Sequence, residues 1–310
     1  MIVFALAAVL VLAACGVTGP VAESEGEDSH AEARAEALDW RERRISRLEE
    51  PFGWLSLVGL EFLEDGHWRV GNHPDNDLVV TSGPEHWGEI TVAGDRAWFD
   101  VAAGSGVRVD GRDESQTEFR PAGSEEPTYI EAGSARLELL ERGDRLALRV
   151  RDHQAPTRLE FAGLKYFDFD PQWRIEARWV AHPEDRTLLV ANVLGELVHE
   201  PNPGMAEFEV DGRTFGLEAV DAGEQLFFIF ADRTSGRESY GLGRFLYADK
   251  PDNGQVVLDF NRAYNPPCAF TEFSTCPLPP PENRLDVAVE AGELTYTGGS
   301  GTDPADIQRR

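Results

Sequence analysis

Hydrophobic positions along most of this chain come in short runs that are separated by turn residues. Runs such as Trp68–Gly71, Glu89–Val92 and Arg96–Val101 are bounded by Gly, Pro, Asn and Asp. Short strands that recur roughly every ten residues with turn signals between them are typical of a β-sandwich or a β-barrel. The same texture continues from Leu137 to Val289. The pattern therefore predicts a mainly β protein.

One segment near the N-terminus has a different pattern. Residues Ser29–Leu48 are rich in Ala, Glu and Arg, which favour helix, and Pro51 marks the end of the segment. Leu38, Ile45 and Leu48 form only a thin apolar stripe. We expect a helix that lies on the surface of the β-rich body.

The composition also suggests where the body divides. The stretch Pro121–Pro127 contains two Pro, a Gly, a Ser and two Glu, as linkers and loops do. This predicts a helix and a small β domain in residues 29–120 and a larger β-barrel or β-sandwich domain in residues 128–298. The larger domain is expected to end in a Pro-rich C-terminal loop.

The first residues resemble an export signal. Met1–Ala14 carry no charge, are mostly apolar and end in Leu-Ala-Ala immediately before Cys15. Small residues before a Cys predict a lipoprotein signal peptide over residues 1–14, followed by lipidation of Cys15. A signal peptide with an ordinary cleavage site and an incidental Cys is the alternative. The acidic residues 15–28 then predict a flexible tether.

This interpretation sets the expected location and partners. Gly16 after the lipidated Cys is no inner-membrane retention signal, so we expect a lipid-anchored protein on a periplasm-facing outer membrane or on the cell surface. The chain has 29 Lys and Arg against 56 Asp and Glu, a net charge of −27. This balance argues against nucleic acid as a partner, because nucleic-acid binding relies on cations that neutralise phosphates. The expected partner besides the membrane is a small molecule or an envelope protein, and no cofactor is implied.

Two further cysteines lie in the Pro-rich segment. Cys268 and Cys276 are eight positions apart, and export to an oxidising compartment favours a disulfide between them. A nucleophilic or metal-binding Cys is the alternative. A zinc site would need two more Cys or His ligands at short spacing, and none is near, so no metal is expected.

Candidate chemistry concentrates in the same C-terminal region. Arg151-Asp152-His153 has no accompanying Gly-x-Ser-x-Gly elbow, so Ser-His-Asp catalysis has no support. The polar residues of the C-terminal region are possible catalytic groups at four positions and possible binding groups at two: Arg244, Asp259, Tyr264 and Glu293, and Asn261 and Asn265. The alternative is structural, with Asp259 paired to Arg244 and the two Asn side chains capping turns.

These motifs resemble a known family. The block Asp232–Glu293, together with Gly53–Leu60 and Arg149–Asp152, is similar to the DUF1684 family of uncharacterised bacterial and archaeal proteins. The resemblance spans roughly residues 39–293, nearly the whole mature chain, and implies no activity. Two functions therefore stay open. One is a ligand- or partner-binding envelope protein, and the other is an extracytoplasmic hydrolase with an Asp/Glu-Arg-Tyr site.

The small β domain has a second, weaker resemblance. Val70–Val80 followed by Gly104–Gly111 is similar in layout to a forkhead-associated (FHA) sandwich, a family that recognises phosphothreonine. Asn72 stands where that family has an Arg, and Pro84–Trp87 replaces its Ser-x-x-His segment. The resemblance therefore implies a sandwich fold but not phosphopeptide binding.

Overall fold

A computed structural model describes residues 21–298 of the chain. Helix α1 spans Val21–Leu48 and packs its last turn on the body, where Leu48 is buried beside Leu55 and Phe270. The helix confirms the predicted element but begins earlier. The helix therefore includes residues 21–28, which were expected to belong to the flexible tether. Cys15 and the predicted signal peptide lie outside the described residues.

The first β unit contains ten strands in two five-stranded sheets. One sheet has the order β1-β10-β9-β8-β6 and the other β3-β2-β4-β5-β7. All pairs are antiparallel except β2 with β3. The strands are β1 (Leu57–Leu63), β2 (Gly66–Gly71), β3 (Leu78–Val79), β4 (Gly88–Ala93), β5 (Arg96–Val101), β6 (Arg108–Val109), β7 (Gln116–Glu118), β8 (Tyr129–Ala132), β9 (Ala135–Arg142) and β10 (Arg145–Asp152).

The two sheets share one hydrophobic core. Ile90 and Phe99 from one sheet and Leu137 and Leu148 from the other are each fully buried in it. Since alternate residues of a strand point to opposite faces, each sheet places its apolar side chains on the face toward the other sheet. The unit is therefore a sandwich.

The predicted domain boundary lies inside this sandwich. The stretch 121–127 connects β7 to β8, and β10 beyond it pairs with β1 from Leu57↔Arg151 to Leu63↔Leu146. The amide of Ala122 also donates to the carbonyl of Leu139 at 2.8 Å. A Pro- and Gly-rich composition marks a loop between strands as well as a linker between domains, and pairing distant in sequence decides between them.

The second β unit contains nine strands and follows helix α2 (Pro156–Leu159). A four-stranded sheet has the order β15-β14-β11-β19, a three-stranded sheet β16-β17-β18, and β12 pairs with β13. The strands are β11 (Arg174–Ala181), β12 (Thr187–Ala191), β13 (Leu197–Pro201), β14 (Gly204–Val210), β15 (Arg213–Glu218), β16 (Val220–Ala222), β17 (Gln225–Phe230), β18 (Arg244–Asp249) and β19 (Gln255–Asp259).

The four-stranded and three-stranded sheets enclose a second core. Phe208, Phe228, Phe230 and Phe260 lie in it, and the ring centroids of Phe230 and Phe260 are 5.3 Å apart. The mainly β prediction is thus confirmed. The sheets stay open among the described residues, so the closed barrel offered as an alternative for this unit is wrong.

The C-terminal segment after β19 wraps the second unit without long regular elements, as the Pro-rich composition predicts. It contains three short 3-10 helices, at Phe260–Arg262, Pro267–Ala269 and Pro281–Asn283. Proline at the second and third of these supplies a fixed φ but no amide donor, so the segment cannot join a sheet interior. No helix within residues 21–298 is long and apolar enough to cross a lipid bilayer.

A disulfide joins Cys268 to Cys276 in this segment. We expect the double substitution Cys268→Ala, Cys276→Ala to lower the free energy of unfolding by about 2.5 kcal/mol, because the unfolded chain loses a short covalent loop. Urea unfolding of both forms measures the difference. Alkylation of the non-reduced wild-type protein serves as the control, and two reactive thiols there would contradict the bond.

Candidate functional site

Arg244, the first residue of β18, is fully buried. Its Nη2 donates to Asp232 Oδ2 at 2.8 Å and to the carbonyl of Val289 at 2.9 Å, and its Nη1 donates to the carbonyl of Ala291. Burial lowers the pKa of the guanidinium, and Asp232 opposes that shift. Arg244 therefore ties the C-terminal segment to the second core, which is a structural use of the residue.

Asp259 and Asn261 are also engaged in the fold. Asp259 caps the 3-10 helix Phe260–Arg262, where its Oδ1 accepts from the Asn261 amide at 3.2 Å. The Asn261 side chain accepts from the Asp170 amide at 3.0 Å and donates to the Asp170 carbonyl at 2.9 Å. These contacts match the structural alternative, in which the Asn side chain satisfies loop backbone. Asp259 does not pair with Arg244, whose carboxylate partner is Asp232.

Glu293 forms a buried network with Asn265 and with Arg44 of helix α1. Arg44 Nε donates to Glu293 Oε1 at 3.0 Å, and the Asn265 amide donates to Oε2 at 2.8 Å. Arg44 Nη2 also donates to the Asn265 carbonyl at 3.0 Å. Burial raises the pKa of the Glu293 carboxyl, whereas the adjacent Arg44 lowers it. The carboxylate thus serves as the buried counterion that holds Arg44 in place.

Gly292 explains why the chain can deliver Glu293 to this position. Its φ is +81°, and a Cβ there would lie 2.4 Å from the carbonyl oxygen of Ala263. Only glycine fits both the left-handed backbone and the close approach. The Glu293 amide then donates to the same carbonyl at 2.8 Å, which sets the direction of its side chain.

The four predicted catalytic residues do not converge in one open cleft. Arg244 and Glu293 are both fully buried and bonded to different partners, and Asp259 caps a helix. Tyr264 alone among them lines a large cleft beside helix α1. The geometry therefore does not bring together the four residues named for the hydrolase alternative.

That cleft has a volume of about 640 Å³ and lies where helix α1 meets both β units. Its walls come from α1, from the segment after it, from β10, and from β17, β18 and the first residues after β19. Five arginines and five aromatic residues line it, with Glu50 the single acidic residue: Arg43, Arg44, Arg47, Arg151 and Arg262, and Trp40, Phe52, Trp54, Tyr247 and Tyr264. We call it the arginine cleft.

The counterions of these arginines differ in position. Glu293 holds Arg44 from the protein interior, and Glu138, which is 5% exposed, binds Arg151 with both carboxylate oxygens at 2.9 Å from its Nε. Arg47 has no carboxylate partner within 4 Å among residues 30–298. Arg43 and Arg47 are therefore exposed in the cleft, whereas Arg44 and Arg151 are buried in its wall with their counterions behind them.

The remaining two arginines pair with carboxylates of α1 and of β19. Arg43 pairs with Asp39 one helical turn earlier, and both side chains are mostly exposed. Arg262 contacts Glu36 at 2.7 Å and Asp259 at 3.0 Å. An exposed pair such as Arg43–Asp39 contributes about 0–1 kcal/mol, so an incoming anion can compete for the Arg43 guanidinium.

Tyr264 links the arginines to the aromatic residues. The Arg44 guanidinium carbon lies 4.7 Å from the centre of its ring, and the Tyr247 ring lies nearly parallel to it at 6.4 Å. Burial raises the pKa of both tyrosine hydroxyls. Both side chains therefore stay neutral at physiological pH and add no negative charge to the cleft.

The spacing of residues on α1 is a sequence signal for this cleft. Trp40, Arg43, Arg44 and Arg47 are spaced i, i+3, i+4 and i+7, so they share one helix face. The apolar side chains of the same helix form only a thin stripe. This helix face is cationic rather than apolar, and Arg151 and Tyr247, which complete the cleft, are far away in sequence.

No group of three His, Cys, Asp or Glu side chains in the described part of the chain is arranged to hold a metal ion. Asn265, predicted as a binding residue, instead donates its side-chain amide to the Leu294 carbonyl at 2.8 Å.

Comparison with known proteins places the C-terminal part of the chain. Residues 159–294 match the family described as a protein of unknown function, DUF1684. A solution NMR structure of an uncharacterized protein from Haloarcula marismortui is 36% identical, with a TM-score of 0.38. That match covers 44% of this chain and 79% of the other. No curated protein matches the chain.

The family match covers a shorter part of the chain than the sequence resemblance was expected to cover. The matched segment contains the second β unit and the C-terminal segment, whereas the expected resemblance extended over residues 39–293. Nothing in the matches supports the FHA-like layout expected for the first sandwich. Residues 159–294 of this chain belong to the DUF1684 family.

Proposed function

We propose that this protein is an extracytoplasmic, lipid-anchored binding protein that captures a small anionic ligand in the arginine cleft. One observation carries the proposal. Five arginines and one glutamate line a cleft of about 640 Å³ on a chain whose net charge is −27. These guanidinium groups are opposite in sign to the net charge of the chain, so their concentration in one cleft favours a local function for them.

The chemistry of the guanidinium group indicates the ligand. Its planar set of N–H donors fits the oxygens of a carboxylate or a phosphate, and such bonds are about twice as strong as neutral hydrogen bonds. Arg44 is held in place by Glu293 and Asn265, so it is already ordered before a ligand arrives. Arg47 supplies a guanidinium group that no carboxylate contacts within 4 Å in the described residues.

We expect Arg47→Gln to weaken the binding of inorganic phosphate about tenfold at low ionic strength, since a hydrogen bond to a charged group contributes about 1.5 kcal/mol or more. Isothermal titration calorimetry of the purified protein measures the dissociation constant. Arg34→Gln is the matched control, because Arg34 is an exposed residue of the same helix that does not line the cleft. Equal affinities for the two variants, or no phosphate binding by the wild type, would contradict the proposal.

The location is a separate part of the proposal and rests on Cys15 and the apolar residues before it. In cells that carry the chain, we expect the wild-type protein in the membrane fraction and Cys15→Ser in the soluble fraction. Mass spectrometry of the membrane-purified protein should find diacylglycerol on the Cys15 thiol. An unmodified thiol there would refute the anchor but would leave the anion site standing.

A further inference from the structure

The aromatic side chains of the arginine cleft are not explained by anion binding alone. Trp40, Trp54 and Tyr247 line it beside the arginines, and Tyr247 keeps 44% of its surface exposed. Trp40 packs against Tyr264 at a tilt, with 6.0 Å between the ring centroids. A protein rarely leaves such large apolar surfaces beside charged groups without a use for them.

Part of this aromatic surface is already occupied by the protein. Arg136 covers the ring of Phe52 at 3.7 Å, and Phe227 stacks on Tyr247 with 4.8 Å between centroids. Arg44 lies over Tyr264. In the described residues, Trp40 has the single ring contact to Tyr264 and no cation over its ring. Trp40 is thus the wall residue best placed to offer a ring face to a ligand.

The size of the cleft also favours an organic ligand over an inorganic ion. Sites for organic ligands have volumes of about 300–1,000 Å³, and the arginine cleft falls within that range. An inorganic phosphate would fill only a small part of it. The rest of the volume is bounded by ring faces, which prefer the offset or edge contacts that another planar ring provides.

We infer that the ligand is a planar aromatic ring that carries a phosphate or carboxylate group. The anionic group binds Arg44 and Arg47, and the ring packs against Trp40. This inference rests on the proposed function, since it requires that the arginines bind an anion. It adds the chemical class of the ligand. It also assigns the ring to Trp40 and the anionic group to Arg44 and Arg47, which share one helix face.

Three probes that share a phosphate group test the inference: inorganic phosphate, cyclohexyl phosphate and phenyl phosphate. We expect phenyl phosphate to bind the wild type about three- to tenfold more tightly than cyclohexyl phosphate, as aromatic pairing contributes beyond apolar area. Trp40→Leu should remove this preference and leave the affinity for inorganic phosphate within about twofold. Retained phosphate binding also shows that the variant is folded.

Trp98→Leu is the matched control. Trp98 is a half-buried tryptophan of β5 with Arg96 over its ring, and it does not line the cleft. Equal affinity of the wild type for the phenyl and cyclohexyl esters would overturn the inference while phosphate binding kept the proposed function. Loss of the phenyl preference in Trp98→Leu as well as in Trp40→Leu would also overturn it. If none of the three probes binds, the proposed function fails together with the inference.

Discussion

Replacing Arg244 by methionine is expected to lower the free energy of unfolding by about 3–5 kcal/mol, the usual cost of breaking a buried ion pair from one side. The Arg244 and Asp232 side chains have no solvent exposure, and Arg244 also satisfies the carbonyls of Val289 and Ala291. Methionine fills much of the volume but leaves the Asp232 carboxylate buried without its cation. Urea unfolding followed by circular dichroism measures the loss.

An exposed arginine gives the control for this substitution. Arg178 in β11 pairs with Glu207 at 2.5 Å, but 63% of its side chain is exposed. We expect Arg178→Met to change stability by at most about 1 kcal/mol. Since the cost of Arg244→Met comes largely from the orphaned carboxylate, adding Asp232→Leu should recover part of it. Equal losses for the two single variants would show that Arg244 contributes no more than a surface residue.

The sequence could not assign Arg244 this role, although it singled the residue out. The structural alternative paired Arg244 with Asp259, fifteen positions away, whereas its partners in the structure are Asp232 and two carbonyls near residue 290. Which carboxylate an arginine meets depends on how β18 and the C-terminal segment pack. Hydrophobic periodicity fixes the face of a strand but not the neighbour of a polar side chain.

Within the fold, the strands could be predicted from the sequence, whereas the role of residues 121–127 could not. The alternation of apolar and polar residues, together with the turn residues, predicts the strands, because both are local features of the sequence. The role of residues 121–127 depends on the pairing of β1 with β10 across about ninety positions, which composition does not report. The arginine cleft is harder still, since its walls come from α1, β10, β17 and β18. Only the i, i+3, i+4, i+7 spacing on α1 was visible in advance.

The second large effect is expected at Glu293, where glutamine should lower the free energy of unfolding by about 3 kcal/mol. The carboxylate accepts from Arg44 Nε with one oxygen and from the Asn265 amide with the other. A glutamine side chain has one acceptor oxygen, so its NH₂ group must face one of these two donors. Arg44 would then lack its counterion in a largely buried position. Urea unfolding at neutral pH measures the loss.

Glu290→Gln is the matched control, since Glu290 is an exposed glutamate three residues earlier in the same segment. We expect that change to fall within about 0.5 kcal/mol of the wild type. A double-mutant cycle of Glu293→Gln with Arg44→Met then isolates the pair, and a coupling of about 1–3 kcal/mol is expected for side chains in direct contact. No coupling would mean that Arg44 is held by the Asn265 carbonyl and by the rings of Tyr264 and Phe270 instead. The ordering of the cleft would then not depend on Glu293.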